Sequence, residues 1–337
     1  MSANTKPINI LAIESSCDDT AAAVLQNGKV LSNCVSTQKV HQQYGGVVPE
    51  LASRAHQQHI VPVVSVALKE AGIELKDLSA VAFTKGPGLI GSLMVGSSFA
   101  KSLAYSLGIP LIGIHHMEAH VLAHFIPEPK PEFPFLCLTV SGGHTQIVKM
   151  TNYFEFEILG KTIDDAAGEA FDKAAKLLGL PYPGGPLIDS NAKNGKLIFK
   201  FPLPQIAGLD FSFSGIKTAI LYFLQKELKN NPHFIEENLA DLCASVQDVI
   251  IKHLIKKIEL AAKQTGISQI ALAGGVSANS GLRQAIIEKG NEHHWTTFIP
   301  PFEYCTDNAA MIGIAAWYKF QQGEFESLDI APSARLH

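Results

Sequence analysis

His116 and His120 stand four residues apart in the run His115-His116-Met117-Glu118-Ala119-His120. On a helix that spacing puts both imidazoles on one face. Two imidazoles so placed bind one divalent cation, or they are simply a pair of core or solvated histidines. A zinc peptidase of the HExxH type carries a general-base glutamate directly after its first histidine. Met117 holds that position here, and Glu118 comes one residue later. It lies about 200° around the helix from His116, away from the shared face. A two-histidine site needs a further ligand. Asp307, in Thr306-Asp307-Asn308-Ala309-Ala310, is the candidate, and a carboxylate favoured by the N-terminal dipole of a helix is its plainer explanation.

Three glycine turns follow apolar runs: Gly86-Pro87-Gly88, Ser141-Gly142-Gly143 and Gly274-Gly275. Glycine lets a backbone approach a phosphate closely with its N–H groups facing the anion. No GxxxxGK[ST] sequence is present, so these turns suggest a nucleotide site other than a P-loop. They predict a nucleotide-type ligand lying between two lobes, against Ser141, Gly142 and Gly143 on one side and residues 275–279 on the other. Glu14-Ser15-Ser16-Cys17-Asp18-Asp19 joins two short apolar runs. Its paired acids can hold a metal or orient phosphate, or form an ordinary polar hairpin. Pro181-Tyr182-Pro183-Gly184-Gly185-Pro186 reads as a rigid pocket-shaping loop. Asp172 before it can accept a bond from a ribose, or pair with Lys176 one helical turn on.

The elements that must position these groups alternate between strand and helix. Residues 8–13, 20–25 and 30–35 read as strands, with Asn27-Gly28 as a hairpin turn. Helices are predicted over 49–71, 91–107 and from 115, with strands at 80–83 and 111–114. Four prolines within 126–134 mark a boundary. Beyond it strands at 135–140, 145–150 and 154–159 restart the opening pattern, a hint of internal repetition. Helices follow near 168–178, 215–229, 235–264 and 279–288, with a strand at 269–273 and a last helix over 307–321. The expected fold is α/β, in two lobes: 1–128, with the helix 307–325 packing back on it, and 129–306.

With 337 residues the chain exceeds the usual size of one core, and 47% hydrophobic residues supply ample burial. The formal net charge of −4 argues against unaided binding of nucleic acid, so a local basic patch or a partner must supply phosphate contacts. Five scattered cysteines without a CxxC pair read as reduced thiols. No 18-residue apolar run occurs, which predicts no membrane span and a cytoplasmic protein.

Taken together, the motifs resemble the tRNA threonylcarbamoyladenosine transferase family, older name O-sialoglycoprotein endopeptidase. The matching pieces are ESSCDD at 14–19, GPGL at 86–89, HHMEAH at 115–120, TVSGGHTQIV at 139–148, FDKAAKLLG at 171–179, PYPGGP at 181–186, FSFSGIKT at 211–218, GGVSANSGLR at 274–283 and TDNAAMIG at 306–313. They come in the family's order and span nearly the whole chain. The resemblance implies the two-lobed fold of the actin, sugar-kinase and heat-shock ATPase class. It implies one divalent metal on His116, His120 and Asp307, Fe2+ in the first place and Zn2+ as the alternative. It further implies that Thr139, Val140, Ser141, Gly142, Gly143, Asp172, Gly185 and Asn279 bind threonylcarbamoyl-AMP, with Asp189 as a lesser candidate on the ribose or adenine side. The expected reaction moves the threonylcarbamoyl group to the exocyclic amine of adenosine 37 in tRNAs reading ANN codons. That forms t6A and releases AMP; a metal-dependent glycoprotein endopeptidase is the alternative. Asp18 and Asp19 are the candidate catalytic acids, although the family motif commonly ends in glutamate where Asp19 stands. The family works with a shorter inactive paralogue and a P-loop ATPase.

Overall fold

The computed structural model describes residues 6–336. The chain divides into two compact units. One runs to Lys130 and resumes at Asp307; the other is Pro131–Thr306.

The first unit is built on β1 (Asn9–Glu14), β2 (Asp19–Gln26) and β3 (Lys29–Thr37), followed by α1 (Pro49–Ala71), β4 (Ala80–Gly86), α2 (Ile90–Leu107), β5 (Leu111–His115) and α3 (His116–Leu122). All six residues of β1 are buried, as a strand covered on both faces requires. Asn27 and Gly28 both take positive φ, 49° and 79°, so Gln26 pairs directly with Lys29 across a two-residue turn. Pro49 opens α1 and Gly72, in the left-handed region, ends it. The sheet order is β3-β2-β1-β4-β5. β1–β2 and β2–β3 are antiparallel, while β1–β4 and β4–β5 are parallel.

The second unit holds β6 (Phe135–Val140), β7 (Thr145–Asn152), β8 (Glu155–Lys161), α4 (Ala167–Leu177), α5 (Gly184–Ala192), α6 (Ser214–Asn230), α7 (Phe234–Thr265), β9 (Gln269–Ala273), α8 (Ser280–His293) and β10 (Thr296–Phe298). Its sheet order is β10-β9-β6-β7-β8, with β6–β7 and β7–β8 antiparallel and β6–β9 and β9–β10 parallel. Read outward from β1 and from β6, the two sheets share one plan, which gives the hint of internal repetition its structural content. The core of this unit gathers Leu136, Phe171, Phe211, Phe213, Ile250 and Leu254.

The last helix, α9 (Ala309–Gln322), packs on β1, β2 and α3 of the first unit. Its residues 309–316 are all buried. The five cysteines form no disulfide. Among the described residues no helix is long and apolar enough to cross a membrane.

Two sequence expectations are corrected here. The segment after Pro183 is a nine-residue helix, not a loop. The carboxylate of Asp172 accepts the N–H groups of Gly184 (2.8 Å) and Gly185 (3.3 Å), so the donors left over at the helix start are satisfied and a Gly-Gly-Pro opening is tolerated. The short edge strand β10 was absent from the sequence reading; three residues carry too little periodicity to register.

Candidate metal centre and nucleotide pocket

β5 delivers the chain to His115, whose Nδ1 accepts from the N–H groups of Met117 (3.2 Å) and Glu118 (3.4 Å) and so starts α3. The two histidines that follow on this helix meet edge to face, with ring centroids 4.7 Å apart. Asp307 Oδ1 lies 3.1 Å from His120 Nε2 and 3.4 Å from His116 Nε2. One donor atom from each of the three lies within 4.8 Å of the others. Asp307 does not cap α9; Asn308 does, accepting from Met311 N–H at 3.0 Å. The Asp307 carboxylate is thereby left to face the imidazoles.

Behind the triad sits Glu14, fully buried. Its Oε2 is 3.2 Å from His116 Nδ1 and accepts from Thr84 Oγ1 at 2.5 Å, while Oε1 accepts from Ser16 N–H at 2.5 Å. A carboxylate on Nδ1 orients the ring and directs Nε2 toward Asp307. Burial alone would lower the pKa of His116, but Asp307 and Glu14 together hold it well above the ordinary value. Burial likewise pushes Asp307 upward, and His116 and His120 outweigh it, holding the carboxyl well below the usual range. His120 Nδ1 is buried with no hydrogen-bond partner. Two ring nitrogens and one carboxylate oxygen, with a carboxylate ordering one ring, suit a borderline divalent cation and leave it positions open for a substrate.

The turn carrying Asp18 and Asp19 is clamped from α1. His56 Nε2 bonds the Cys17 carbonyl at 2.9 Å and its Nδ1 meets Thr20 Oγ1 at 2.7 Å. Ser92 Oγ donates to the same carbonyl at 3.0 Å. Burial, then the charges of Asp307 and Asp18, push the Asp19 carboxyl up to about 7, against a hydrogen bond from Thr37. Its Oδ1 is buried and unpartnered. Glu118 instead has Lys319, Lys85 and Glu324 for charged neighbours, and burial raises its pKa.

The second unit contains a pocket of about 450 Å3 lined in part by Gly142, Asp172, Gly185, Asp189, Gly275 and Asn279. Both glycine turns belong to the second unit, where β6 and β9 are neighbouring parallel strands. A Cβ added at Gly142 or Gly275 would meet nothing within 4 Å. Gly274 differs: its φ is +85°, and a Cβ there would stand 2.5 Å from the Val140 carbonyl oxygen. Thr139 and Val140 end β6 and are fully buried. Ser141 closes the turn, its N–H donating to the His144 carbonyl at 2.8 Å. Asp172 bonds the start of α5 as described and makes no ion pair with Lys176. Asp189 does the same for α8, accepting from Ser280 N–H at 3.2 Å and Ser280 Oγ at 2.7 Å. Asn279 caps α8 through Leu282 N–H (2.9 Å) and donates to Gln247 Oε1 (2.7 Å). Both ends of that side chain are thus engaged within the protein.

The family model described as tRNA N6-adenosine threonylcarbamoyltransferase matches residues 29–314. The chain belongs to that family. A protein of that name from Christiangramia forsetii is 65% identical over 332 residues, covering 97% of this chain and 98% of the relative. One from Cytophaga hutchinsonii is 57% identical over 337 residues, covering 100% and 98%. Among solved structures, full-length HypF in its phosphate- and nucleotide-bound form matches with a TM-score of 0.66 at 13% identity, over 95% of this chain and 47% of that one. Component A of the Acidaminococcus fermentans (R)-2-hydroxyglutaryl-CoA dehydratase matches with a TM-score of 0.55 at 14% identity, over 93% and 98%. At such identities the likeness is one of fold: the α/β architecture of the actin-like, sugar-kinase and heat-shock ATPase class.

Sequence reasoning passed over two residues beside this candidate site. Glu14 stood inside a quoted motif, but its isoleucine-rich strand marked it as a strand end and nothing more. His56 lies in a helix of ordinary composition, 36 residues from Thr20. The only available signal was a polar residue at a core position of an amphipathic pattern.

Proposed function

We propose that this chain transfers the threonylcarbamoyl group from threonylcarbamoyl-AMP to the exocyclic amine of adenosine 37 in tRNAs that read ANN codons, forming t6A and releasing AMP. The observation that carries the reading is whole-length kinship to proteins named for tRNA N6-adenosine threonylcarbamoyl transfer. A peptidase reading has no support from the relatives' names, and Glu118 has its charged neighbours elsewhere than at the triad.

The amine nitrogen attacks the carbamoyl carbon. A C–N bond forms, the bond from that carbon to the phosphate oxygen breaks, and AMP leaves with the electron pair. The amine proton must go to a base, because an aromatic amine is a weak nucleophile. Asp19, shifted to about 7, and its neighbour Asp18 are the proposed acceptors, with the substrate phosphate as their competitor. In the second unit, Asp172 and Asp189 present carboxylate oxygens at two helix starts. These suit ribose hydroxyls and repel a phosphate, so the nucleoside end of the adenylate is assigned there. Gly142, Gly143 and Gly275 let the backbone approach the ligand, alongside Thr139, Val140, Ser141, Gly185 and Asn279.

His116, His120 and Asp307 are proposed to hold one divalent ion, Fe2+ first and Zn2+ as the alternative. Such an ion supplies Lewis-acid polarisation of a carbonyl. The proposed setting is the cytoplasm, with a shorter inactive paralogue and a P-loop ATPase as partners. The test is nucleoside analysis of an unmodified tRNA transcript after incubation with the chain, its partners and threonylcarbamoyl-AMP. Accumulation of t6A is expected; AMP release with no modified nucleoside would reduce the chain to a hydrolase.

A further inference from the structure

The chain's formal charge of −4 leaves its attraction for a polyanion to local clusters. One stretch has the opposite balance. Between positions 193 and 230 stand Lys193, Lys196, Lys200, Lys217, Lys226 and Lys229, against only Asp210 and Glu227. All six lysines are exposed. Among the described residues none of them makes an ion pair, whereas lysines such as Lys149, Lys173, Lys252 and Lys289 are paired with acids.

Packing draws together the segments that carry four of them. Lys193 lines the nucleotide pocket, and the chain runs from it as an irregular segment held by its backbone. Lys196 N–H donates to Asp241 Oδ1 at 2.6 Å, and Phe199 N–H to Ser245 Oγ at 3.3 Å. Phe199 and Phe201 both pack on Phe223 of α6, at 5.2 and 5.6 Å. Lys200 lies between those two phenylalanines in sequence, and Lys226 follows Phe223 by one helical turn. Tyr222, one turn before Lys226 on α6, is 65% exposed. Cations with free donors, a fixed backbone and an exposed aromatic ring are what single-stranded or looped RNA needs: phosphate neutralisation and a face for stacking.

Resting on the function proposed above, we infer that the tRNA docks along this strip of the second unit, its phosphates on Lys196, Lys200 and Lys226 and an unpaired base on Tyr222. The strip leads from the pocket rim, so the docked RNA lies beside the adenylate site. A second lysine group, Lys256 and Lys263 beside Trp295, is the rival. There Glu259 already engages Lys289 and His293, which weakens the field.

Fluorescence anisotropy of an unmodified tRNA transcript on the full-length chain, at several salt concentrations, tests the assignment. K196E/K200E/K226E is expected to weaken binding at least about tenfold near physiological salt and to reduce the slope of log K against log salt by about two to three. Y222A is expected to lower affinity several-fold with the slope unchanged, because stacking releases no counterions. AMP affinity should stay as in the parent in both. Should the reversed variant lose its circular dichroism, K196Q/K200Q/K226Q takes its place with a loss of the same sign. A folded variant with parental affinity and slope overturns the strip, as does a loss confined to K256E/K263E. A parent chain that binds AMP yet never modifies tRNA with its partners present fails differently: it removes the proposed function itself.

Discussion

At the scale of single residues the candidate metal centre depends on two kinds of contact. His116, His120 and Asp307 bring donor atoms within 4.8 Å of one another, and Glu14 orders one ring from behind. His120→Ala should abolish stoichiometric metal in a folded protein, read by elemental analysis beside circular dichroism; full occupancy would dissolve the site. Glu14→Gln should keep the fold and weaken metal affinity by about 10- to 100-fold, the usual effect of losing an ordering carboxylate. The adjacent glycines make a sharper pair. In Gly275→Val the added Cβ meets no protein atom within 4 Å, so calorimetry should show AMP affinity falling about tenfold or more, near 1.4 kcal/mol, with little change in thermal stability. Gly274→Ala forces a Cβ onto the Val140 carbonyl at positive φ and should instead lower stability by more than about 1 kcal/mol. Equal behaviour of the two would return both to ordinary turn residues.

At the scale of elements, α7 carries a pH dependence that has nothing to do with the site. His253 is fully buried, edge-on to Phe211 and Phe213, and its Nε2 accepts from Ser212 N–H. Burial, then the charges of Lys257 and Lys256, push its pKa down to about 4. A folded pKa below the unfolded value near 6.5 means the unfolded chain binds the proton more tightly. The stability from neutral His253 is complete above about pH 6.5 and is lost as pH falls toward 4. Melting temperatures should therefore drop across that window, and His253→Gln should flatten the drop while retaining an acceptor for Ser212. An unaltered profile in that variant would assign acid sensitivity to other groups. The start of α5 depends on Asp172 in a different way. Its two accepted N–H bonds let a helix form where proline and glycine content suggests a loop.

At the scale of the whole molecule, two units carry sheets of one topology, yet each has specialised. The first gathers the candidate metal triad and the second the pocket, because the chain returns Asp307 to the first unit after the second is complete. The net charge of −4 gives little general pull on tRNA, and the proposed function invokes partners. The chain alone, given threonylcarbamoyl-AMP and unmodified tRNA, should give at most about one turnover per site, with multiple turnover only when the partners are added. Rapid multiple turnover by the isolated chain in quench-flow or nucleoside assays would end that dependence.

The sequence by itself determined what is local. Apolar runs of five or six residues announced β1, β6 and β9; Asn27-Gly28 announced the hairpin; the four-residue spacing of His116 and His120 announced a shared helix face. Those signals survive because they depend on neighbours along the chain. What tertiary structure alone decided is every pairing across distance. Asp307 meets His120 from 187 positions away, Glu14 meets His116 from 102, and Asp189 reaches Ser280 from 91. Periodicity has no term for such pairs. Which carboxylate faces an imidazole and which caps a helix was settled by chain geometry: Asn308 took the cap of α9 and left Asp307 free, while Asn279, with the same residue type at another helix start, spent its side chain on the cap.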